Sequence, residues 1–363
     1  MTGRPSGTRP RPTAPSPTLT RQPSGILSAS VNDRADISQF EHPPRSNNAE
    51  GQPRRVGVEL EMAGIRPHQV AEAVVDAVGG HIEIDSAFVT RVCGSSLGEF
   101  RVELDADLLK SRQYQNLLAE FGIDIGKGDE REQIESLISR VAGLIVPLEL
   151  VGPPVPWTEL ATLDMIREQL HQAGARGTHS SPLYAFGMQL NIEAASLEAD
   201  YLLAVIRAFL LCYDELIEAE RVDLSRRITP YVQPFPEEYL AHVLQADYAP
   251  DLHGLIGDYL RLTPTRNRPL DLLPLFAHLD EARIMAAPVE THLIKARPAF
   301  HYRLPNCLID EPDWSLATVW NRWIEIERLA DDPARLERGR SRRLSRSSPL
   351  RRWLSQAWRK LRT

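Results

Sequence analysis

The chain reads as an α+β protein, an antiparallel β-sheet with one polar face packed against helices. Three observations predict this. Short stretches alternate apolar and polar residues at period 2, as half-buried strands do, between longer stretches of helical period. The two kinds intermix without regular strand–helix–strand spacing, which argues against a parallel sheet. Three of the strands gather their charged or amide side chains on one face and apolar ones on the other. No internal repeat is present.

Composition sets the outer bounds. A hydrophobic content of 42% with 25% charged residues is that of a globular protein, and 363 residues can form one large domain or two ordinary ones. The net charge of −7 conceals a division. Residues 1–55 carry 8 basic and 4 acidic side chains, and residues 335–363 carry 11 basic and one acidic. The body between them holds 23 basic against 44 acidic, a net of −21, which argues against nucleic acid as its main ligand. The cysteines, Cys93, Cys212 and Cys307, are sparse and unspaced. They give neither a disulfide framework nor a zinc signature and point to a reducing cytoplasm. No apolar run reaches the roughly 18–20 residues of a transmembrane helix, and the start lacks a secretory apolar core.

Residues 1–53, rich in Pro, Ser, Thr and Arg, bury too little to offset ordering entropy and are expected to be disordered. The folded domain is placed at 54–330. It opens with Arg54-Arg55-Val56-Gly57-Val58-Glu59-Leu60-Glu61-Met62, a strand whose Glu59 and Glu61 share a face about 7 Å apart. Such a pair suits a hard cation such as Mg²⁺. It also suits a wet strand edge. A helix from Pro67 to Val78 follows, stopped by Gly79-Gly80. Strands are then expected at 81–85, 88–92 and 99–105. The last sets Glu99, Arg101, Glu103 and Asp105 opposite Phe100, Val102 and Leu104, as either a surface strand or the floor of a polar site.

Helices are expected at 108–121 and 130–146, a strand running into a Pro-rich loop at 147–156, and a helix at about 158–173. The strand 184–193 sets Gln189, Asn191 and Glu193 opposite Met188, Leu190 and Ile192. The helix 197–220 is apolar over most of its circumference and should be central in the core. Prolines break 222–290 into helical pieces. The stretch 293–304 gathers Lys295, Arg297, His301, Tyr302 and Arg303, and a last helix spans about 315–329. Residues 331–363 form a basic linker and an amphipathic helix. In that helix Leu350, Trp353, Leu354, Ala357, Trp358 and Leu361 recur at helical spacing, fit for an anionic membrane surface, a protein partner or the acidic body.

If the three polar strands share one sheet, four or five carboxylates meet on its face. Two Mg²⁺ ions would relieve their repulsion, and arginines would neutralise phosphate charge. No GxxxxGK[ST] motif and no Rossmann glycine fingerprint is present. His179 and His292 are weaker candidates for the site, because a lone histidine is more often a bystander.

Arg55-x-Gly57-Val58-Glu59-Leu60-Glu61, Asp85-Ser86 leading to Gly98-Glu99-Phe100-Arg101-Val102-Glu103-Leu104, and Gly187-x-Gln189-x-Asn191 together resemble the amidoligase family. That family belongs to the carboxylate–amine ligases with the glutamine synthetase and glutamate–cysteine ligase fold. The resemblance covers about 55–330 and implies an ATP- and Mg²⁺-dependent ligase, in which a carboxylate forms an acyl phosphate that an amine then displaces. Carried over residue by residue, it makes Glu59, Glu61, Glu99 and Glu103 metal ligands. Arg297 and Arg303 become the catalytic pair on the phosphates or the acyl phosphate, and Gln189, Asn191, Lys295 and Arg101 become cofactor-binding residues. The family commonly has His-x-His where Gln189 and Asn191 stand here, and an amide binds metal only weakly and is no general base. The implied partners are small-molecule or peptide carboxylates and amines. Two other functions stay open: a guanidino-kinase-like phosphotransferase, and a catalytically weakened acidic binding domain that presents its basic tail.

Overall fold

The computed structural model describes residues 40–86, 88–104, 147–180, 186–220, 222 and 232–346. The expected helices at 108–121 and 130–146, the residue Asp105, and the amphipathic segment 349–363 lie outside the described residues.

The elements in chain order are β1 (Arg55–Met62), α1 (Pro67–Val78), β2 (His81–Ile84), β3 (Val89–Cys93), β4 (Phe100–Leu104), β5 (Leu148–Val151) and β6 (Val155–Pro156). Next come α2 (Leu160–Gln172), β7 (Met188–Glu193), α3 (Ala199–Ala219), α4 (Glu237–Val243), α5 (Leu252–Leu262), β8 (Leu270–Asp271) and α6 (Leu273–Leu279). The last are α7 (Glu281–Met285), β9 (Ala299–Tyr302), α8 (Leu316–Ala330) and α9 (Pro333–Arg346). Among the described residues the nine strands form one sheet in the order β2-β3-β4-β5-β1-β7-β9-β8, with β6 beside the start of β1. Every pairing is antiparallel.

The period-2 pattern puts the apolar set of each strand on one face of this sheet. Val56, Val58, Leu60 and Met62 of β1 are all buried, as are Phe100 and Val102 of β4 and Met188, Leu190 and Ile192 of β7. Helices cover that face. Trp323 of α8 packs its ring against Phe300 and Tyr302 of β9, and Phe209 of α3 meets Tyr302 edge-on. A slip of one residue in β1 would carry all four apolar side chains to the polar face, so the register is strongly specified.

A buried ion pair ties the entry of β1 to this layer. The Arg54 guanidinium donates to both oxygens of Glu327 on α8, at 2.8 and 2.6 Å. It also donates to the Glu193 carbonyl at 2.7 Å, while Trp323 Nε1 donates to Glu327 at 2.7 Å. Burial works against the Arg54 charge, but Glu327 outweighs it and holds the pKa above the ordinary arginine value.

Three departures from the sequence reading have simple causes. Residues 40–53 lie against α8: Trp320 Nε1 donates to the Glu41 carbonyl, the Glu41 amide donates to Asn321 Oδ1, and Arg45 pairs with Asp331. The basic stretch read as a linker from 331 contains helix α9. Its Arg340 is buried and donates to the Leu244 carbonyl at 2.8 Å, and Asp332 accepts from the Arg335 amide at its start. The proline-broken region 222–290 holds, beside its helices, the two-residue strand β8, too short to leave an alternation.

Replacing Arg54 by Met leaves Glu327 buried without its counter-charge. The expected loss of stability in urea unfolding is about 3–5 kcal/mol, and adding Glu327→Leu should recover part of it.

Candidate active site

Antiparallel pairing decides which polar side chains meet. Glu61 lies directly opposite Glu149 of β5, and Glu149 lies opposite Glu103 of β4, so three glutamates stand in one row across the sheet. Directly opposed side chains on neighbouring strands have Cβ atoms about 5 Å apart, close enough for like charges to repel. Arg101, on the same face of β4, pairs with Glu103 at 2.6 Å. On the other side of β1 a second row runs from Gly57 to Asn191 of β7, His301 of β9 and Asp271 of β8. Glu59 sits between the two rows, opposite Gln189.

The amides Gln189 and Asn191 act here as donors to the motif carboxylates. Asn191 Nδ2 donates to Glu59 Oε1 at 2.6 Å, and Gln189 Nε2 donates to Glu61 Oε1 at 3.0 Å. The other Glu61 oxygen accepts from the Gly187 amide at 2.6 Å. Gly57 makes the Asn191 contact possible. A Cβ at position 57 would stand 3.3 Å from Asn191 Cβ, so Asn191 would have to give by a few tenths of an ångström.

Because the Gln189 NH₂ faces Glu61, its oxygen faces His301. The 2.7 Å contact therefore assigns the proton to His301 Nε2. His301 Nδ1 faces Asp271 Oδ2 at 3.6 Å, beyond hydrogen-bond reach. Asp271 spends its other oxygen on the Leu273 amide. Burial pushes the His301 imidazole below its ordinary value, against the opposing pull of Asp271 and Glu59. His301–Gln189–Glu61 is thus a hydrogen-bonded polar chain that ends on a motif carboxylate, with Asp271 beside its buried end.

Arginines flank this chain. Arg297 NH1 lies 3.9 Å from Glu59 Oε1, and Arg266 Nε lies 4.0 Å from Asp271 Oδ2. Arg303 NH1 donates to the Arg266 carbonyl at 2.9 Å. Burial would raise the Glu59 pKa. The neighbouring His301, Arg297, the Asn191 amide and Arg303 outweigh it and hold the carboxyl below the usual range.

Of the residues singled out from sequence, Glu59, Glu61, Gln189, Asn191 and Arg297 come together, with Glu103 and Arg101 alongside on the same face. Arg303 stands at the end of β9 beside Arg266. Glu99 does not join them: it precedes β4 and pairs with Arg91 at 3.1 Å, in a surface group with Asp85 and Glu83. Lys295 is exposed on the loop before β9. His179 pairs with Glu311 and His292 is exposed, both outside the cluster. Glu193 accepts from Asn48 Nδ2 and the Arg55 amide, holding the chain entry. Sequence reasoning missed Glu149, Asp271 and Arg266, and named His301 without a role. Glu149 was legible in Leu148-Glu149-Leu150, a lone charge in an apolar strand.

Among the described residues no three or more His, Cys, Asp or Glu side chains stand close enough together to hold a metal ion. The carboxylates of Glu59, Glu61, Glu149 and Glu103 nevertheless offer only oxygens, and Asn191 Oδ1 is buried beside Glu59 with no hydrogen-bond partner. That chemistry fits Mg²⁺ rather than a soft metal. No helix among the described residues is long and apolar enough to cross a membrane.

This arrangement falls within a stretch that matches a known family. Residues 52–325 match the family described as "Putative amidoligase enzyme", and the chain belongs to that family of ligases. No curated protein and no solved structure matches it.

The polar chain makes a stability prediction. Gln189→Leu takes the buried acceptor from the His301 Nε2–H and removes a donor to Glu61. The expected cost is on the order of 2–4 kcal/mol in denaturant unfolding, far more than an exposed amide would show.

Proposed function

We propose that the chain is an ATP- and Mg²⁺-dependent ligase that joins a carboxylate to an amine through an acyl phosphate. The observation that carries this is the division of one sheet face, inside the amidoligase match, into a carboxylate flank and a guanidinium flank. The carboxylates Glu59, Glu61 and Glu103, with Glu149 in the same row, would hold the metal. Glu99 stands outside that set. When bound, Mg²⁺ neutralises phosphate charge and orients the nucleotide.

In this reading Gln189 and Asn191 fix the rotamers of Glu61 and Glu59. Arg297 and Arg303 stabilise the negative charge that grows on the transferred phosphoryl group. The substrate carboxylate oxygen attacks the γ-phosphorus and ADP leaves. The amine nitrogen then attacks the acyl carbon, expels inorganic phosphate and loses a proton. The lack of His-x-His at 189 and 191 is compatible with this scheme, because the amides act on the carboxylates and not as bases. The sparse, unspaced cysteines support a cytoplasmic setting. An anionic membrane surface or a protein partner is proposed for the basic tail.

The test is release of phosphate from Mg·ATP across a panel of carboxylates and amines. Turnover is expected with at least one pair, and Glu59→Gln should lower it by about 10²-fold or more. Formation of ADP without phosphate release would identify a guanidino-kinase type of transfer instead. A protein whose melting temperature ignores Mg·ATP in both wild type and Glu59→Gln would overturn the ligase reading.

A further inference from the structure

Gly187, the residue just ahead of β7, grips Glu61 twice. The Glu61 amide donates to the Gly187 carbonyl at 3.1 Å, and Glu61 Oε2 accepts from the Gly187 amide at 2.6 Å. The orientation of the planar Phe186–Gly187 peptide therefore decides where one oxygen of this motif carboxylate sits.

The carbonyl of that same peptide is clamped from behind. Phe186 O accepts from Thr178 Oγ1 at 2.5 Å and from the Cys307 amide at 3.1 Å. Thr178 Oγ1 also lies 3.1 Å from the Cys307 carbonyl, but the Thr178 amide already serves that oxygen at 2.8 Å. A hydroxyl has one proton, and the shorter contact assigns it to Phe186. Thr178, Phe186 and Cys307 have no solvent exposure, so bulk water cannot take over the hydroxyl's part. The loop that carries Thr178 is fixed as closely. The Gly177 amide donates to Asp310 Oδ1 at 3.0 Å, and Ser180 Oγ donates to the other Asp310 oxygen. A Cβ at position 177 would collide with the Cys307 carbonyl and stand 2.7 Å from Asp310 Oδ1, so the approach requires glycine.

We propose that Thr178 is a positioning residue for Glu61, acting through the Phe186–Gly187 peptide. Its hydroxyl sets the tilt of that peptide and draws charge toward the carbonyl, which strengthens the N–H on the far side as a donor. That N–H fixes one oxygen of the Glu61 carboxylate, while Gln189 holds the other at 3.0 Å. Outer partners of this kind orient the groups that bind a cation. The proposal rests on the ligase reading only for the use to which Glu61 is put, as a metal ligand.

The experiment takes the full chain with isotopically labelled glycine, without nucleotide, and follows amide hydrogen exchange at Gly187 and Gly177. Thr178→Val, which keeps the shape and removes the hydroxyl, should speed exchange at Gly187 by about tenfold. Gly177, whose amide bonds to Asp310, should keep its rate, and Thr178→Ser should restore that of Gly187. Thr178→Ala serves where Thr178→Val does not fold, with the same expectations. Exchange unchanged at Gly187, or faster by the same factor at Gly177, overturns the proposal. The second arm is Mn²⁺ affinity by electron paramagnetic resonance, with Mn²⁺ standing in for Mg²⁺. Thr178→Val should weaken it by about tenfold, the low end for loss of an outer partner, and Thr178→Ser should stay close to wild type. Equal Mn²⁺ affinity in wild type and Thr178→Val also overturns the proposal. A wild type that binds no Mn²⁺, with exchange selectively faster at Gly187, keeps Thr178 in its role and removes the metal from the ligase reading.

Discussion

The register of β1 is the constraint from which the rest of the molecule follows. This strand lies inside the sheet, paired with β5 on one side and β7 on the other, and its alternating residues serve two environments at once. Four apolar side chains face the helical layer, while Glu59 and Glu61 face the polar side. The strand cannot slide by one residue without burying both carboxylates and exposing the core. The Arg54–Glu327 pair fixes the same register at the strand's entry, because its geometry is satisfied only when Arg54 reaches beneath α8. One strand therefore sets both the core and the chemistry.

Across the polar face, charge is organised by position in the sheet. Toward β4 the side chains are mainly acidic, with Arg101 as a local counter-charge on Glu103. Toward β8 and β9 they are mainly basic at the rim and amide or imidazole in the interior. The motif carboxylates stand at the boundary and are held on both sides. Neutral donors fix their orientation without cancelling their charge. A histidine at 189 or 191 would bring a ligand of its own to the boundary. The amides found here bring orientation instead, and the imidazole sits one strand further out.

Much of this was legible in the sequence. The alternation at 55–62, 100–104 and 188–193 marked the strands that build the polar face, and the helices α1, α2, α3 and α8 lie close to where their apolar spacing put them. The meeting of Glu59 and Glu61 with Gln189 and Asn191 followed from the assumption of one shared sheet. What was not legible has a common cause. Asp271 lies on a two-residue strand inside an apolar, proline-broken stretch, and its importance arises only because β8 pairs with β9 opposite His301. Arg266 is a loop residue placed by its neighbours' backbone bonds. Glu99 shares the alternation of β4 but lies beyond its paired residues, where Arg91 captures it. Periodicity reveals a side chain's face. It does not reveal which strand lies next door.

The bare Cα of Gly57 carries a consequence of another kind. Its missing side chain leaves room for Asn191 as it reaches Glu59, so two residues far apart in the chain share one space. Along related lineages the two positions should therefore change as a couple. A larger residue at 57 calls for a smaller one at 191, and loss of the amide at 191 frees position 57 to grow.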